Sequence, residues 1–203
     1  EVHPGVFAGR ILSASWCEAL CRVIHDHEAA SFGRDAPGNS MHQRALLIEA
    51  LGLESLIDSL VADWLAPIAH ALFAQHIVGA IVEQHSYVVR YGGDYDHDLG
   101  FHVDDSEVTL NLCLEATGQG SELYFEGLRC GMHVDDTPRA SERFSWSHQP
   151  GVAILHAGKN RHGVRPIQGG ARRNLIVWMR DGGGVERWER DWARATCPAW
   201  CGH

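Results

Sequence analysis

A mainly β fold, a sandwich or barrel with flanking N-terminal helices, is what this sequence predicts, and three observations carry the prediction. After Ile77 the chain breaks into runs of strand length rich in β-branched and aromatic residues. Clusters of Gly, Pro and Asp separate those runs without the helical patterns that βαβ units would place between them. Before Ile77, by contrast, apolar residues recur at three and four, the period of an amphipathic helix.

In chain order, Ser15 and Glu18 form a capping box, and Leu20, Val23 and Ile24 recur at helical spacing, predicting a helix near residues 15–29. Residues 26–40, with Gly33, Pro37 and Gly38, read as a loop, and Ala45–Glu49 as a short strand. From Leu53 onward, Leu56, Ile57, Leu60, Val61, Trp64 and Leu65 mark a second amphipathic helix. Pro67 lacks the N–H a helix interior needs, so it either kinks this helix or starts a continuation through Ala74. The strands follow at 80–91, 107–115, 122–127, 151–157 and 171–180. The helices are expected to cover the outside of one sheet, which accounts for the run Leu175–Met179 being apolar on both faces. With no internal repeat, low-complexity tract or linker, one domain over 1–203 is the economical division: a helical part to about 76, a strand core over about 77–180 and a tail at 181–203.

Composition narrows the function classes. At 203 residues, 45% apolar and 21% charged, the chain suits one globular domain with a sizeable core. A net charge of -9 argues against a general nucleic-acid binder, although Lys159, Arg161, Arg165, Arg172 and Arg173 form a local basic group, part of which is expected to serve an acidic ligand. No run approaches the about 18 apolar residues of a membrane-spanning helix, and a cytoplasmic location is the default expectation. The six cysteines are too sparse for a disulfide scaffold; Cys17 and Cys21 share a helix face as small buried hydrophobes, and Cys197, Cys201 and His203 receive no role.

The chemistry is concentrated in RYGGDYDHDLGFHVDDSEVTLNLCLE and AILHAGKNRHGVRP. His102, Asp104 and His162 supply two imidazoles and a carboxylate, the set that holds ferrous iron on one face and leaves the other positions open. Residues two apart on a strand point to one side, so His102 and Asp104 reach one metal from a single strand end. His162 arrives from a strand or turn edge beyond Gly158, while His156, inside an apolar run, reads as a core or neighbouring histidine. On the strand after the metal motif, Thr109, Asn111 and Cys113 form one face opposite Val108, Leu110, Leu112 and Leu114, so the polar trio is expected to line a cavity.

These stretches, with GSELYFEG and RRNLIVWMR, resemble the 2-oxoglutarate and Fe(II)-dependent oxygenase superfamily, in its branch of prolyl and lysyl hydroxylase-like enzymes. Residues 37–68 are similar to the helical part of one subgroup, whose members often end in a Trp-Cys-Gly tail as this chain nearly does. The resemblance implies a double-stranded β-helix, or jelly roll, with His102, Asp104 and His162 as ligands of Fe(II). It further implies Arg172 on the distal carboxylate of 2-oxoglutarate and Tyr91 near that cosubstrate, with dioxygen as the oxidant and room for ascorbate as an auxiliary reductant. Arg172 and Arg173 point to opposite faces, and the family spacing selects Arg172. If Arg172 faces inward, Asn174, Ile176 and Trp178 do too, so Trp178, Thr109 and Asn111 join the expected cosubstrate pocket, while Tyr87 is expected to pack in the core. In the resembling halogenases a small residue stands where Asp104 is, so the carboxylate here implies hydroxylation of a C–H bond in a free or peptidyl amino-acid substrate. Two alternatives stay open: a cupin-like metal-dependent isomerase or hydrolase, and a metal-binding jelly roll without catalysis.

Overall fold

Ten strands, all paired antiparallel, form two sheets in the computed structural model, which describes residues 1–30 and 45–182. They are β1 (Val6–Arg10), β2 (Leu46–Leu47), β3 (Ile81–Tyr91), β4 (Leu99–His102), β5 (Val108–Ala116), β6 (Leu123–Leu128), β7 (Arg143–Trp146), β8 (Val152–Ala157), β9 (Asn160–Val164) and β10 (Arg172–Asp181). The larger sheet has the order β1-β8-β5-β10-β3-β2 and the smaller β4-β9-β6-β7. Together they make the jelly roll that the family resemblance implies, within the sandwich or barrel class that the strand pattern predicts. The helices are α1 (Ala14–Ala30), α2 (Glu54–Leu60) and α3 (Ala66–Leu72); none is long and apolar enough to cross a membrane.

The helices lie on the outer face of the larger sheet. Ile24 of α1, Ile57 of α2, Ala69 of α3 and Val61, Leu65 and Phe73 beside them pack in one buried cluster with Leu110 and Leu112 of β5 and Leu175, Val177 and Met179 of β10. A second cluster, with Val6, Tyr87, Val89, Phe125, Ile154 and Ile176, fills the space between the sheets. Each fully buried Leu, Ile or Val contributes about 1.5–3 kcal/mol.

Local readings are refined in four places. The N-cap of α1 is Ser13 rather than Ser15: its Oγ accepts from the Trp16 N–H at 3.3 Å and its carbonyl from the Cys17 N–H at 3.1 Å. Helix α1 runs on to Ala30, through the start of the expected loop, and the rest of that loop lies outside the described residues. The strand expected at Ala45–Glu49 shrinks to Leu46–Leu47, because a 3₁₀ turn takes over at Ile48–Leu51 and ends on Gly52 at φ 67°. Of the two alternatives at Pro67 the structure has the second, a continuation, which ends at Leu72 rather than Ala74. A wide π turn over Val61–Leu65, in which the Ala66 N–H reaches back five residues to the Val61 carbonyl, carries α2 into α3 with the proline in its first turn.

Strands β1, β4, β7 and β9 go beyond the six ranges predicted, although the readings of His102 and His162 already put strand or turn edges at β4 and β9. All are short, with four or five residues each, and β9 is buried at every position, so it shows no alternation. Strand β1 lies in the part expected to be helical and joins the larger sheet beside β8. The tail residues Cys197, Cys201 and His203 lie outside the described residues.

Candidate metal centre and its cavity

The smaller sheet brings the two histidines together. His102 closes β4 and sits directly across from His162 in the middle of β9, with ring centroids 4.2 Å apart. The two-residue spacing predicts Asp104 on the same strand end as His102; instead β4 ends at His102 and the chain bends, so Asp104 lies beyond the strand. The Asp104 N–H then donates to the Gly158 carbonyl at 2.8 Å, and the Gly158 N–H to the Glu107 carbonyl at 3.0 Å. Gly158 allows this approach because any Cβ there would collide with Ser106.

One ligand atom from each of His102, Asp104 and His162 lies within 4.8 Å of the others. His102 Nε2 is 3.6 Å from Asp104 Oδ1, and His162 Nε2 is 3.6 Å from Asp104 Oδ2. Each imidazole is oriented by a carbonyl: His102 Nδ1 donates to Gly100 O and His162 Nδ1 to Asn160 O, both at 2.8 Å. A carbonyl only accepts, so the proton is on Nδ1 and the Nε2 lone pair is turned to the centre, the tautomer a metal requires. Burial pushes the His162 pKa down to about 4 against the opposing effect of its bond to Asn160, which keeps it neutral. Thr109 Oγ1 donates to Asp104 Oδ2 at 2.6 Å and holds the carboxylate, itself 3% exposed, in place.

Three donors at about 2.1 Å from a metal in octahedral positions stand about 3 Å apart, and each imidazole here is 3.6 Å from a carboxylate oxygen of Asp104. The residues fit a borderline divalent ion such as Fe(II). His156 is fully buried, donates from Nδ1 to the Ala157 carbonyl at 2.9 Å and presents Nε2 4.0 Å from Asp104 Oδ2, outside the triad, in keeping with the supporting role read from its apolar run.

The triad opens into a cavity walled by Tyr87, Val89 and Tyr91 of β3, Thr109 and Asn111 of β5, and Arg172 and Ile176 of β10. Arg172 faces this cavity and Arg173 the helices, where it pairs with Glu28 at 3.0 Å and Glu115 at 3.7 Å. The Arg172 guanidinium is 4.3 Å from the Tyr91 ring centroid and donates to the Ser121 carbonyl at 2.6 Å, while its Nε is buried without a partner. Burial disfavours its charge, yet a guanidinium keeps it, so an acceptor-only group such as a carboxylate fits beside it. Burial likewise raises the Tyr91 pKa above its usual value, with Arg172 opposing, and the phenol stays neutral.

Two expectations about the walls change. Trp178 shares the inward face of β10 but is not a cavity residue; it packs edge-on against Tyr87 at 5.6 Å and against His85 at 5.7 Å, further along the strand. Tyr87, expected only in the core, is buried and also lines the cavity. The basic group read from sequence is dispersed. Arg161 is buried and donates to the carbonyls of Gly127, Val134, Asp136 and Glu126, and Arg165 stacks on Tyr124 at 4.4 Å. Lys159 reaches the Asp104 carbonyl at 3.4 Å, which leaves Arg172 as the member of the group that lines the cavity. Sequence reasoning missed His148, which contacts Asn174; nothing in SWSHQPG marks a loop histidine as half-buried with its Nε2 out of solvent.

No family model matches the chain. It is 38% identical over 207 residues to the 2-oxoglutarate and iron-dependent oxygenase domain-containing protein ICU11 of Arabidopsis thaliana, an alignment that takes in 100% of this chain and 51% of that protein. It is 34% identical over 172 residues to the mouse 2-oxoglutarate and iron-dependent oxygenase domain-containing protein 2, covering 84% of this chain and 47% of the relative. The chain thus spans about half the length of the curated relatives it matches. Among solved structures, a Pseudomonas putida prolyl-4-hydroxylase superposes with a TM-score of 0.61 at 16% identity, over 88% of this chain and 94% of that one. The non-heme alpha ketoglutarate dependent carbocyclase SnoK superposes at 0.60 and 15% identity, over 92% and 86%.

Proposed function

This chain belongs to the 2-oxoglutarate and iron-dependent oxygenase superfamily, and within it we propose a hydroxylase that acts on a C–H bond of an amino-acid-like substrate, free or peptidyl. The family implies Fe(II), 2-oxoglutarate and dioxygen. His102, Asp104 and His162 are the proposed iron ligands, and the observation that carries the reading is that they share one cavity with a buried arginine, Arg172.

When bound, iron with 2-oxoglutarate and dioxygen supplies the oxidising power for the C–H bond, with succinate and carbon dioxide as coproducts. The chain's own residues provide geometry. Carbonyls of Gly100 and Asn160 fix the two imidazoles, and Thr109 fixes the carboxylate. Arg172, steadied by Tyr91 and the Ser121 carbonyl, holds the distal carboxylate of the cosubstrate, and Asn111 presents an amide to the same cavity. Val89, Leu123, Val164 and Ile176 keep the space between these polar groups dry.

The fold does not choose the reaction, since the structures it resembles include a prolyl-4-hydroxylase, a carbocyclase and an epimerase. The retained Asp104 carboxylate favours hydroxylation. Weak sequence similarity to a procollagen-lysine 5-dioxygenase, 22% over 189 residues, favours an amino-acid side chain. The test is succinate released from 2-oxoglutarate by anaerobically iron-loaded protein once air is admitted, with a pool of free amino acids and metabolites compared against a pool of peptides. Stimulation by one pool, lost in His102→Ala, supports the reading and selects the substrate class. Metal bound without succinate from either pool favours the cupin-like alternative.

A further inference from the structure

We infer that His148 is a second cosubstrate-binding residue, donating from Nε2 to the carboxylate that Arg172 holds, and that Asn174 positions it for this. The inference rests on the oxygenase reading and deepens it. Its basis is a chain of polar side chains that runs from the cavity wall to the loop between β7 and β8. Asn174 Nδ2 lies 2.5 Å from Asn111 Oδ1 and 3.1 Å from His148 Nδ1. An amide nitrogen only donates, so both partner atoms accept.

Two consequences follow for the donors. With Asn111 Oδ1 occupied, its NH₂ is the group left for the cavity that Asn111 lines. With His148 Nδ1 an acceptor, the ring is neutral and carries its hydrogen on Nε2. Reversing the Asn174 amide would leave both of its hydrogens without acceptors; the orientation observed leaves one carbonyl oxygen, which costs less. Burial and the nearby Arg172 guanidinium also hold the His148 pKa well below its ordinary value.

His148 Nε2 and Arg172 Nε are buried donors with no partner. Both side chains line one recess, which Ser121 and Glu122 also border without satisfying either atom; Arg172 lines the metal cavity as well, and Asn174 links His148 to Asn111 on that cavity. Buried donors left open beside a permanent cation call for a ligand that is anionic and only accepts. A carboxylate has about four acceptor positions, enough for Arg172, His148 and Asn111 together. The neutral imidazole adds a hydrogen bond without adding a second buried charge next to the guanidinium.

The experiment titrates Mn(II)-loaded protein calorimetrically with 2-oxoglutarate and with 2-oxobutyrate, which has the same keto-acid end and no distal carboxylate. His148→Phe keeps the ring volume and removes both nitrogens. It is expected to weaken 2-oxoglutarate binding about ten- to a hundredfold and to leave 2-oxobutyrate binding unchanged. His148→Gln, which keeps a donor near the Nε2 position, is expected to regain most of the lost affinity. Should the Phe variant not fold, His148→Ala replaces it with the same expectation. Unchanged 2-oxoglutarate affinity, or equal weakening of both ligands, overturns the inference. Wild-type protein that binds Mn(II) but neither 2-oxo acid overturns the oxygenase reading itself.

Discussion

Strands β5 and β10 carry two faces that are equally buried and chemically opposite. Toward the helices stand Leu110, Leu112, Leu114, Leu175, Val177 and Met179, none more than 4% exposed. Toward the smaller sheet stand Thr109, Asn111, Arg172 and Asn174, with Cys113 paired to Asn174 in the register of β5 and β10, none more than 8% exposed. The first face stabilises by about 1.5–3 kcal/mol per side chain. The second holds the unpartnered Arg172 Nε and Asn174 Oδ1, and each such buried group costs about 1–3 kcal/mol. Cys113 adds no charge there, since burial pushes its thiol up to about 12 against the pull of Arg172. Depth alone therefore says nothing about role: one face supplies the stability that lets the other keep polar groups waiting for a ligand.

The comparison breaks most sharply at the metal end of the inner face. Asp104→Asn keeps an acceptor for Thr109 but removes the charge, and it is expected to lower iron-dependent turnover on the order of a thousandfold while the urea midpoint of the metal-free protein stays near wild type. Turnover at the wild-type rate would remove Asp104 from the ligand set. Leu110→Ala on the outer face is the converse. It is expected to cost about 2–5 kcal/mol in denaturant unfolding, with metal and 2-oxoglutarate affinities of the folded protein unchanged. A loss of affinity there would show that the faces are coupled. Arg172→Lys, back on the inner face, keeps charge but not the planar fork; KM for 2-oxoglutarate is expected to rise about tenfold with a smaller change in kcat.

How much of this division is legible in the sequence follows from which signals are local. The alternation of Thr109, Asn111 and Cys113 with Leu110, Leu112 and Leu114 is written in consecutive residues; the structure puts Thr109 and Asn111 on the cavity and the leucines against the helices, as read, but Cys113, though buried, is not a cavity residue. The His102, Asp104 and His162 cluster and the inward turn of Arg172 were legible from motif spacing. Trp178 was not, because alternation gives the face of a residue but not its distance along the strand from the metal. The bend that takes Asp104 off β4 depends on Gly158, more than 50 residues away, and the pairing of β1 with β8 is equally non-local. His148 enters from a loop, and its contact with Asn174 is announced by no periodicity. What escaped the sequence is what long-range contacts decide.

The smallest expected effect probes the rim of the smaller sheet, where a guanidinium is paired with a carboxylate of the chain itself. Arg129, 2% exposed at its side chain, makes a two-pronged bond to Glu142, whose second oxygen also accepts from the Arg139 N–H at 2.6 Å. Burial pushes the Glu142 carboxyl up, but the bonds from Arg129 and the Arg139 backbone outweigh it, and the pKa lies below the ordinary value of 4.5. A folded-state pKa below the unfolded one stabilises above the unfolded value, and the contribution disappears as pH falls through the folded value. Glu142→Gln is therefore expected to lose about 1–2 kcal/mol at pH 7 and to show a shallower loss of stability than wild type below about pH 4.5, so that the two curves converge in acid. Parallel curves down to pH 3 would mean that the pair contributes through packing alone. Because Arg129 has a carboxylate partner within the protein while Arg172 lines the cavity, this variant should leave 2-oxoglutarate affinity untouched, and that contrast separates an arginine paired inside the fold from one that borders the cavity.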